Sequence, residues 1–521
     1  MEQVLEAFEL VFANPMVWVA VFLSATFGVF IGSIPGLTAT MAVALLVPIT
    51  YWLEPEVALA AIVTMVACAI FAGDIPTTLL RIPGTPASAA YADDAKALTN
   101  LGKSDTALGV ALVCSVAGGL FGALVLMGLG HQLAKIATLF SAVEYFWLYL
   151  LGLSSAVVVS SGPKLRALLS LTIGLLLSTV GLSAVHSQAR FTFGQPELFD
   201  GIGFIPAMIG LFGVSEVLKN LIDLQQDHTD STEDRVGGEN QNSLDVGRMQ
   251  RFVYQPIKSV LGSGSELLLT RKWHALRSGG IGVLIGMLPG AGADIAAWVS
   301  LAVSKRFSNK PEAYGKGSIE GIADATTANS AALAGAWIPA LVFGIPGDSV
   351  TAIVIGVLLM KNITPGPEIF EKQAPLVYSI YLIFILANLV LIPIGFLAIK
   401  AGGFIVRIPR RVLLPIILLF CVLGSYALNS SYFDIGTMLV MGLLGFVLER
   451  RKIPLAPVVL GLILGPPLEE RFIQTITGSD GSLAGFLDPQ RPLALGLAAV
   501  FALVWVSAIV MGIRQKKSNP E

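Results

Sequence analysis

Apolar runs of about 17 to 25 residues follow one another along most of the chain, separated by short polar connections. A run of that length crosses a ~30 Å hydrocarbon core as a helix. The pattern therefore predicts an all-α polytopic membrane protein with about 11 to 14 membrane segments. Passes are expected near 106–129, 142–160, 167–183 and 202–222, and again near 412–427, 434–448, 454–465 and 492–513. One long polar stretch, 223–275, breaks the series. Its first part, 223–245, carries seven acidic residues and one basic one, and 248–277 is rich in basic residues and includes Trp273. It reads as a flexible connector with an amphipathic lead-in.

Inside the apolar runs the same interruptions occur twice. Gly28-Val-Phe-Ile-Gly32-Ser-Ile-Pro35-Gly36 returns 254 residues later as Gly282-Val-Leu-Ile-Gly286-Met-Leu-Pro289-Gly290. Ile75-Pro76 followed by Ile82-Pro83-Gly84 returns 263 residues later as Ile338-Pro339 followed by Ile345-Pro346-Gly347. Lipid cannot satisfy the polar groups of a broken helix, so such breaks persist only against protein or a wet cavity. Paired Gly/Pro breaks in corresponding halves are the best sequence pointer to a transporter's binding site.

Charge gives the orientation, because Lys and Arg gather on the cytoplasmic side of short loops. Arg407 to Arg411, Arg450-Arg451-Lys452 and Arg514 to Lys517 are each separated by two passes. All three can therefore lie inside together, as can Lys96, Lys103, Lys164, Arg166, Lys219 and the Lys305 to Lys316 stretch. The acidic N-terminus, Glu54-Pro-Glu56, Asn429 to Ser431 and the Glu469 to Asp488 loop then fall outside. The expected plan is a first repeat over 1–222, a cytoplasmic linker over 223–275, a second repeat of inverted topology over 276–490, and an extra C-terminal helix and tail over 491–521. The breaks of the two halves approach from opposite faces, as re-entrant hairpins and broken helices.

Composition narrows the class. The 521 residues are 55% hydrophobic and 13% charged, where a soluble domain has about 25% charged. A net charge of −2 suggests no nucleic-acid partner. Cys68, Cys114 and Cys421 sit in apolar runs without metal or disulfide spacing, and the four histidines are scattered. No cofactor is expected. The N-terminus, with Glu6 and Glu9 and no early Lys or Arg, lacks the positive region of a cleavable signal peptide.

The breaks supply the candidate chemistry. After Pro35-Gly36, with Thr38 and Thr40, and after Pro289-Gly290, with Gly292, a new helix starts. Its free N–H groups and partial positive charge make an anion site without Arg or Lys. Gly84-Thr85-Pro86-Ala-Ser88 matches Gly347-Asp348-Ser349-Val-Thr351, and each is expected to be a re-entrant tip between two apolar arms. Thr85, Ser88, Ser349 and Thr351 are candidate ligands there. Acids near the tips are Asp74, Asp294, Asp324 and Asp348, and intramembrane acids are functional hypotheses by default. Asp294 and Asp348 are the candidate cation ligands, against the alternative that they cap helices. Asp93-Asp94 with Lys96 reads as a solvated inside loop. Asn329 and Ser330 close a polar island, Ala325 to Ser330, that suits ligand contact. Arg190, in Arg190-Phe-Thr-Phe-Gly194, is a lone outside cation that can attract an anion or meet a partner.

Together these strings resemble the large membrane subunit of the tripartite tricarboxylate transporters, the TctA family. The matches are Gly32-Ser-Ile-Pro-Gly-Leu37, Ile82-Pro-Gly-Thr-Pro86 with Asp94 and Gly102-Lys103, Arg190 to Gly194, and Pro289 to Ala293. Gly315-Lys-Gly-Ser-Ile-Glu-Gly321 and Gly344-Ile-Pro-Gly347 with Pro365-Gly-Pro367 complete the set. The resemblance implies a multi-pass bacterial inner-membrane secondary transporter for carboxylates. It also implies two partners, a small four-helix membrane subunit and a periplasmic solute-binding protein. Where the family often shows Pro-Glu-Ala-Ala-Asn-Asn, this chain has Ala325-Thr-Thr-Ala-Asn-Ser330.

The expectation is therefore uptake of a di- or tricarboxylate coupled to Na⁺ or H⁺, with no enzymatic activity, the N-terminus periplasmic and the C-terminus cytoplasmic. The rivals are a carrier of another small organic anion or of a lipid-linked substrate, a passive channel, and an intramembrane aspartyl protease. The protease would need Gly-x-Gly-Asp and Tyr-Asp, and the nearest strings are Ile345-Pro-Gly-Asp348 and Tyr432-Phe-Asp434. A channel pore is usually built by oligomer symmetry, unlike four paired breaks in one chain. No Gly-x4-Gly-Lys-Ser/Thr loop for ATP occurs.

Overall fold

The computed structural model describes residues 2–160, 162–183, 188–222, 257–405 and 410–518. The acidic run of the linker, His186, His228 and Arg407 lie outside them. The protein is an all-α polytopic membrane protein. Its described β-structure is one two-residue ladder, Gly181–Leu182 against Ala189–Arg190. Seven described helices are long and apolar enough to cross a membrane, and four shorter apolar helices include Ala39–Thr50 and Ser349–Met360, which follow breaks.

Burial sorts the helices. The apolar window of Pro55–Leu80 is 100% buried and that of Tyr432–Arg450 only 33%. A helix apolar on every side must lie within a bundle or face lipid, and these two do one each. The inner bundle packs Pro15–Gly32, Pro55–Leu80, Ser104–Ala137, Lys272–Gly286, Gly292–Phe307, Ile319–Phe343 and Ala374–Ile405 on one another. Around it, Ala142–Val159 and Lys164–Ser178 pack on Ala456–Gly478, while Phe204–Ile222 packs on Tyr432–Arg450.

The repeated glycines explain the closest contacts. A Cβ on Gly28 would lie 2.3 Å from the Met65 carbonyl oxygen, and one on Gly32 2.4 Å from that of Ala69. In the other half, a Cβ on Gly282 would lie 2.3 Å from the Ala328 carbonyl oxygen, and one on Gly286 2.3 Å from that of Ala332. Both Gly-x3-Gly strings thus let a helix lie backbone to backbone on the long helix that follows, a packing mode that small residues permit. The halves also interlock, since a Cβ on Gly118 would meet the Thr327 oxygen at 2.2 Å.

The two long helices end alike. Arg81 and Gly344, at matching positions, cap Pro55–Leu80 and Ile319–Phe343 in the left-handed conformation, with φ of 61° and 68°. Glycine suits this cap, and arginine adopts it at a conformational cost. Beyond the cap the halves differ. The second has an apolar return arm, Ser349–Met360. In the first, the expected apolar arm is a short polar helix, Ala92–Asn100, which carries Asp93, Asp94 and Lys96 and cannot enter an apolar layer. Asp94 is not solvated there. It is 3% exposed, and its Oδ1 accepts the N–H groups of Gly315, Gly317 and Ser318 at 2.7, 2.9 and 2.8 Å. Residues 257–270 of the expected linker form a helix that packs on Ser104–Ala137.

Candidate functional site

The breaks converge on one cavity of about 470 Å³. The first break supplies Thr38 and Thr40. Gly36 takes φ of 86°, and the Thr38 hydroxyl caps the new helix by accepting from Met41 N–H at 3.2 Å. The matching break supplies Gly290, Gly292 and Asp294, with φ of 78° at Gly290 and 66° at Gly292. From the two tips come Thr85, Asp348 and Ser349. Three helix N-termini, at Ala39, Gly292 and Ser349, therefore open on the same space, each with about half a positive charge.

Two contacts fasten the breaks across the halves. Asp294 Oδ1 accepts the Ala87 N–H at 3.1 Å, and the Trp298 indole N–H donates to the Pro86 carbonyl at 3.3 Å. Within the second half, Gly290 N–H donates to the Gly347 carbonyl at 2.9 Å.

Other hydroxyls hold the turns rather than face the cavity. Ser88 is fully buried, bonds Thr77 at 2.8 Å and accepts from Thr85 N–H at 3.2 Å. Thr351 and Asp348 form a reciprocal cap, with Thr351 N–H donating to Asp348 Oδ1 at 2.8 Å and Asp348 N–H donating to the Thr351 hydroxyl at 2.9 Å. Asp348 thus caps a helix and lines the cavity at once. Gly84 and Gly347 are packing positions, each with space for no Cβ. Pro35, Gly36, Gly84, Ser88, Ser330, Gly347 and Thr351 do not line the cavity.

The polar island resolves residue by residue. Thr326 and Thr327 turn back on their own helix, donating to carbonyls of Ile322 and Ala323. Asn329 lines the cavity, is 3% exposed, and its amide makes no hydrogen bond to any described residue. A buried amide without partners is costly unless something else fills the role. Asp74 and Asp324 are spent elsewhere: Asp74 accepts from the Tyr91 hydroxyl, and Asp324 binds Arg277 at 2.8 Å. Arg190 is no lone cation, since it grips Glu469 with two N–H groups at 2.8 and 3.0 Å.

The far wall was invisible to pattern reading. Ser160, Ser215, Glu216 and Glu449 complete it, all from helices or connections that carry no repeated break. Helix Phe204–Ile222 contains a π-helical stretch, Ile209–Val214, beside Ser215 and Glu216, and π turns often mark functional sites. Asn220 on the same helix donates to the Gly36 carbonyl at 3.2 Å and to Glu216 Oε1 at 3.1 Å, so it joins this wall to the first break. Four carboxylates, Asp294, Asp348, Glu216 and Glu449, line the cavity, and no Lys, Arg or His is among its described lining residues. Lys219 stands behind them, 3.4 Å from Glu216 and 4.0 Å from Glu449.

A family model described as the tripartite tricarboxylate transporter TctA family matches residues 18–460. Among curated proteins, the chain is 34% identical over 498 residues to an uncharacterized 52.8 kDa protein in the TAR-I ttuC' 3'region of Agrobacterium vitis, covering 96% of this chain and 94% of that protein. It is 35% identical over 238 residues to an uncharacterized protein in the TAR-II ttuC' 3'region of the same organism, covering 46% of this chain and 98% of that one. No solved structure matches the chain.

Proposed function

This chain belongs to the tripartite tricarboxylate transporter TctA family, and we propose that it is the permease subunit through which a di- or tricarboxylate enters the cell with Na⁺ or H⁺. The observation that carries this reading is the meeting of both pairs of breaks at one cavity, with the unpartnered Asn329 amide facing it. The substrate's carboxylates lie at the helix N-termini beside Thr38, Thr40, Gly290, Gly292 and Ser349, with Thr85 and Asn329 as further donors.

Charge requires the coupling ion. Three helix ends supply roughly +1.5 in all, and Lys219 adds one charge beside Glu216 and Glu449, against four lining carboxylates, so a multivalent anion entering alone meets net repulsion. Cations or protons held by Asp294 and Asp348 remove it. Alternating access then moves the break-bearing bundle against the wall that carries Glu216 and Glu449. The partners of this reading are the four-helix membrane subunit and the periplasmic solute-binding protein. Its setting is the bacterial inner membrane, with the N-terminus periplasmic and the C-terminus cytoplasmic.

Asp294→Asn and Asp348→Asn test the coupling cleanly, because each keeps the oxygen that accepts from Ala87 or Thr351 and removes only the charge. In vesicles holding the complete system, each is expected to raise the cation concentration for half-maximal carboxylate uptake about tenfold, a loss of ~1.4 kcal/mol. Uptake with unchanged ion dependence in both variants contradicts the assignment. Uptake of a cationic solute instead of any carboxylate contradicts the substrate class.

A further inference from the structure

Between Lys164–Ser178 and Phe204–Ile222 the chain makes a turn held by two sets of contacts. The ladder Gly181–Leu182 with Ala189–Arg190 forms its base, and the Arg190–Glu469 pair ties it to helix Ala456–Gly478. The next residues are strained. Phe191, Phe193 and Gly194 have φ of 51°, 49° and 78°. Gln195 N–H donates to the Thr192 carbonyl at 2.8 Å and closes a turn whose two central residues, Phe193 and Gly194, both have positive φ. Such turns favour Asn-Gly or Asp-Gly, and a bulky side chain there is a steric outlier.

Core burial does not account for the strain. Phe191 is 56% exposed and Phe193 83%, while Thr192 between them is 8% exposed. The turn faces its polar residue inward and its two rings outward. Strained backbone that serves no packing points to function, and clustered exposed aromatics are the commonest anchors of protein interfaces.

Position and chemistry select the occupant. Lys164 begins the helix before this connection and Lys219 lies near the far end of the helix after it. The turn therefore sits on the face away from those lysines, where cytoplasmic charge is not found. Gln188, Gln195, Glu197 and Asp200 flank the rings in sequence and are exposed, and lipid tails or an apolar helix face cannot satisfy them. A water-soluble protein can. We infer that the Phe191–Gly194 turn is a docking knob for the water-soluble solute-binding protein of the three-component system, with Phe191 and Phe193 as anchors. The partner's identity rests on the transport reading above. Docking there places the partner over the Glu469 end of helix Ala456–Gly478, whose opposite end, Ala456, lines the cavity.

Phe193→Asn separates the anchor from the turn, because Asn suits a left-handed turn position and only the ring is lost. The full-length chain in lipid nanodiscs is titrated with the purified solute-binding protein of the same system. Phe193→Asn and Phe191→Asn are each expected to weaken binding about tenfold or more, with melting temperatures at or above that of the wild type. Unchanged affinity in both variants, or no binding by the wild type, overturns the proposal. So does Phe193→Trp whose emission is quenched by brominated lipid while binding persists, because the ring would then sit in the membrane. Carboxylate uptake by the wild type is followed in parallel. Normal uptake with unchanged binding by the variants sinks the docking knob alone, and binding that depends on the rings without any uptake sinks the transport reading alone.

Discussion

Single positions in this chain differ by what already occupies their hydrogen bonds. Thr326 and Thr327 are satisfied by their own helix, whereas Asn329, one turn on, has its amide open to the cavity. Composition marks all of them as polar in an apolar run, so the island was legible in the sequence, but which member faces the ligand was not. Asn329→Ala removes no hydrogen bond to a described residue. We therefore expect unchanged thermal stability and roughly tenfold weaker carboxylate binding, the worth of a hydrogen bond to a charged group. Neighbouring glycines make a second contrast. Gly282 leaves no room for a Cβ, while one on Gly280 meets open space. Gly282→Ala should lower stability by about 1–3 kcal/mol through forced separation of two helices. Gly280→Ala should raise it by about 1 kcal/mol through helix propensity. Thermal denaturation of the two purified proteins checks both signs.

At the scale of elements, the broken helices were legible because the same strings occur twice, and φ at Gly36 and Gly290 agrees across the copies. The capping role of the hydroxyls after the tips was not legible, since Ser and Thr suit ligands and turns equally. Neither was the left-handed cap at Arg81, where the other copy has the expected glycine. Arg81→Gly removes a conformational cost of about 1–2 kcal/mol and an exposed ion pair with Asp93 worth about 0–1 kcal/mol. The melting temperature should stay level or rise slightly, and a marked fall would show that the pair matters more than the backbone. Asp94 holds the opposite kind of position. It gathers three N–H groups of a loop from the other half, and a hydrogen bond to a charged group contributes about 1.5–3 kcal/mol net of the bonds to water it replaces. Asp94→Ala should therefore free the 311–318 loop, seen as faster proteolysis there, at a cost of several kcal/mol. Its neighbours in sequence, Asp93 and Lys96, suggested a solvated loop, because nothing local announces a partner more than 200 residues away.

For the whole molecule, the central claim is that breaks from both halves enclose one wet cavity that holds the carboxylate together with its cation. The cavity wall from helices Phe204–Ile222 and Tyr432–Arg450 was hidden from the sequence, because Glu216 and Glu449 lie near helix ends beside Lys219 and Arg450 and look like ordinary interfacial charges. Only tertiary packing brings them to the breaks. Site-directed labelling tests the claim most directly. Cys68, Cys114 and Cys421 are buried, so background reaction is low, and single cysteines at Thr40 and Ser349 report one break from each half. Both should react with a water-soluble maleimide. A transported di- or tricarboxylate should protect both in parallel, and only when the coupling cation is present. Protection of one cysteine without the other, or equal protection with and without the cation, would contradict the account.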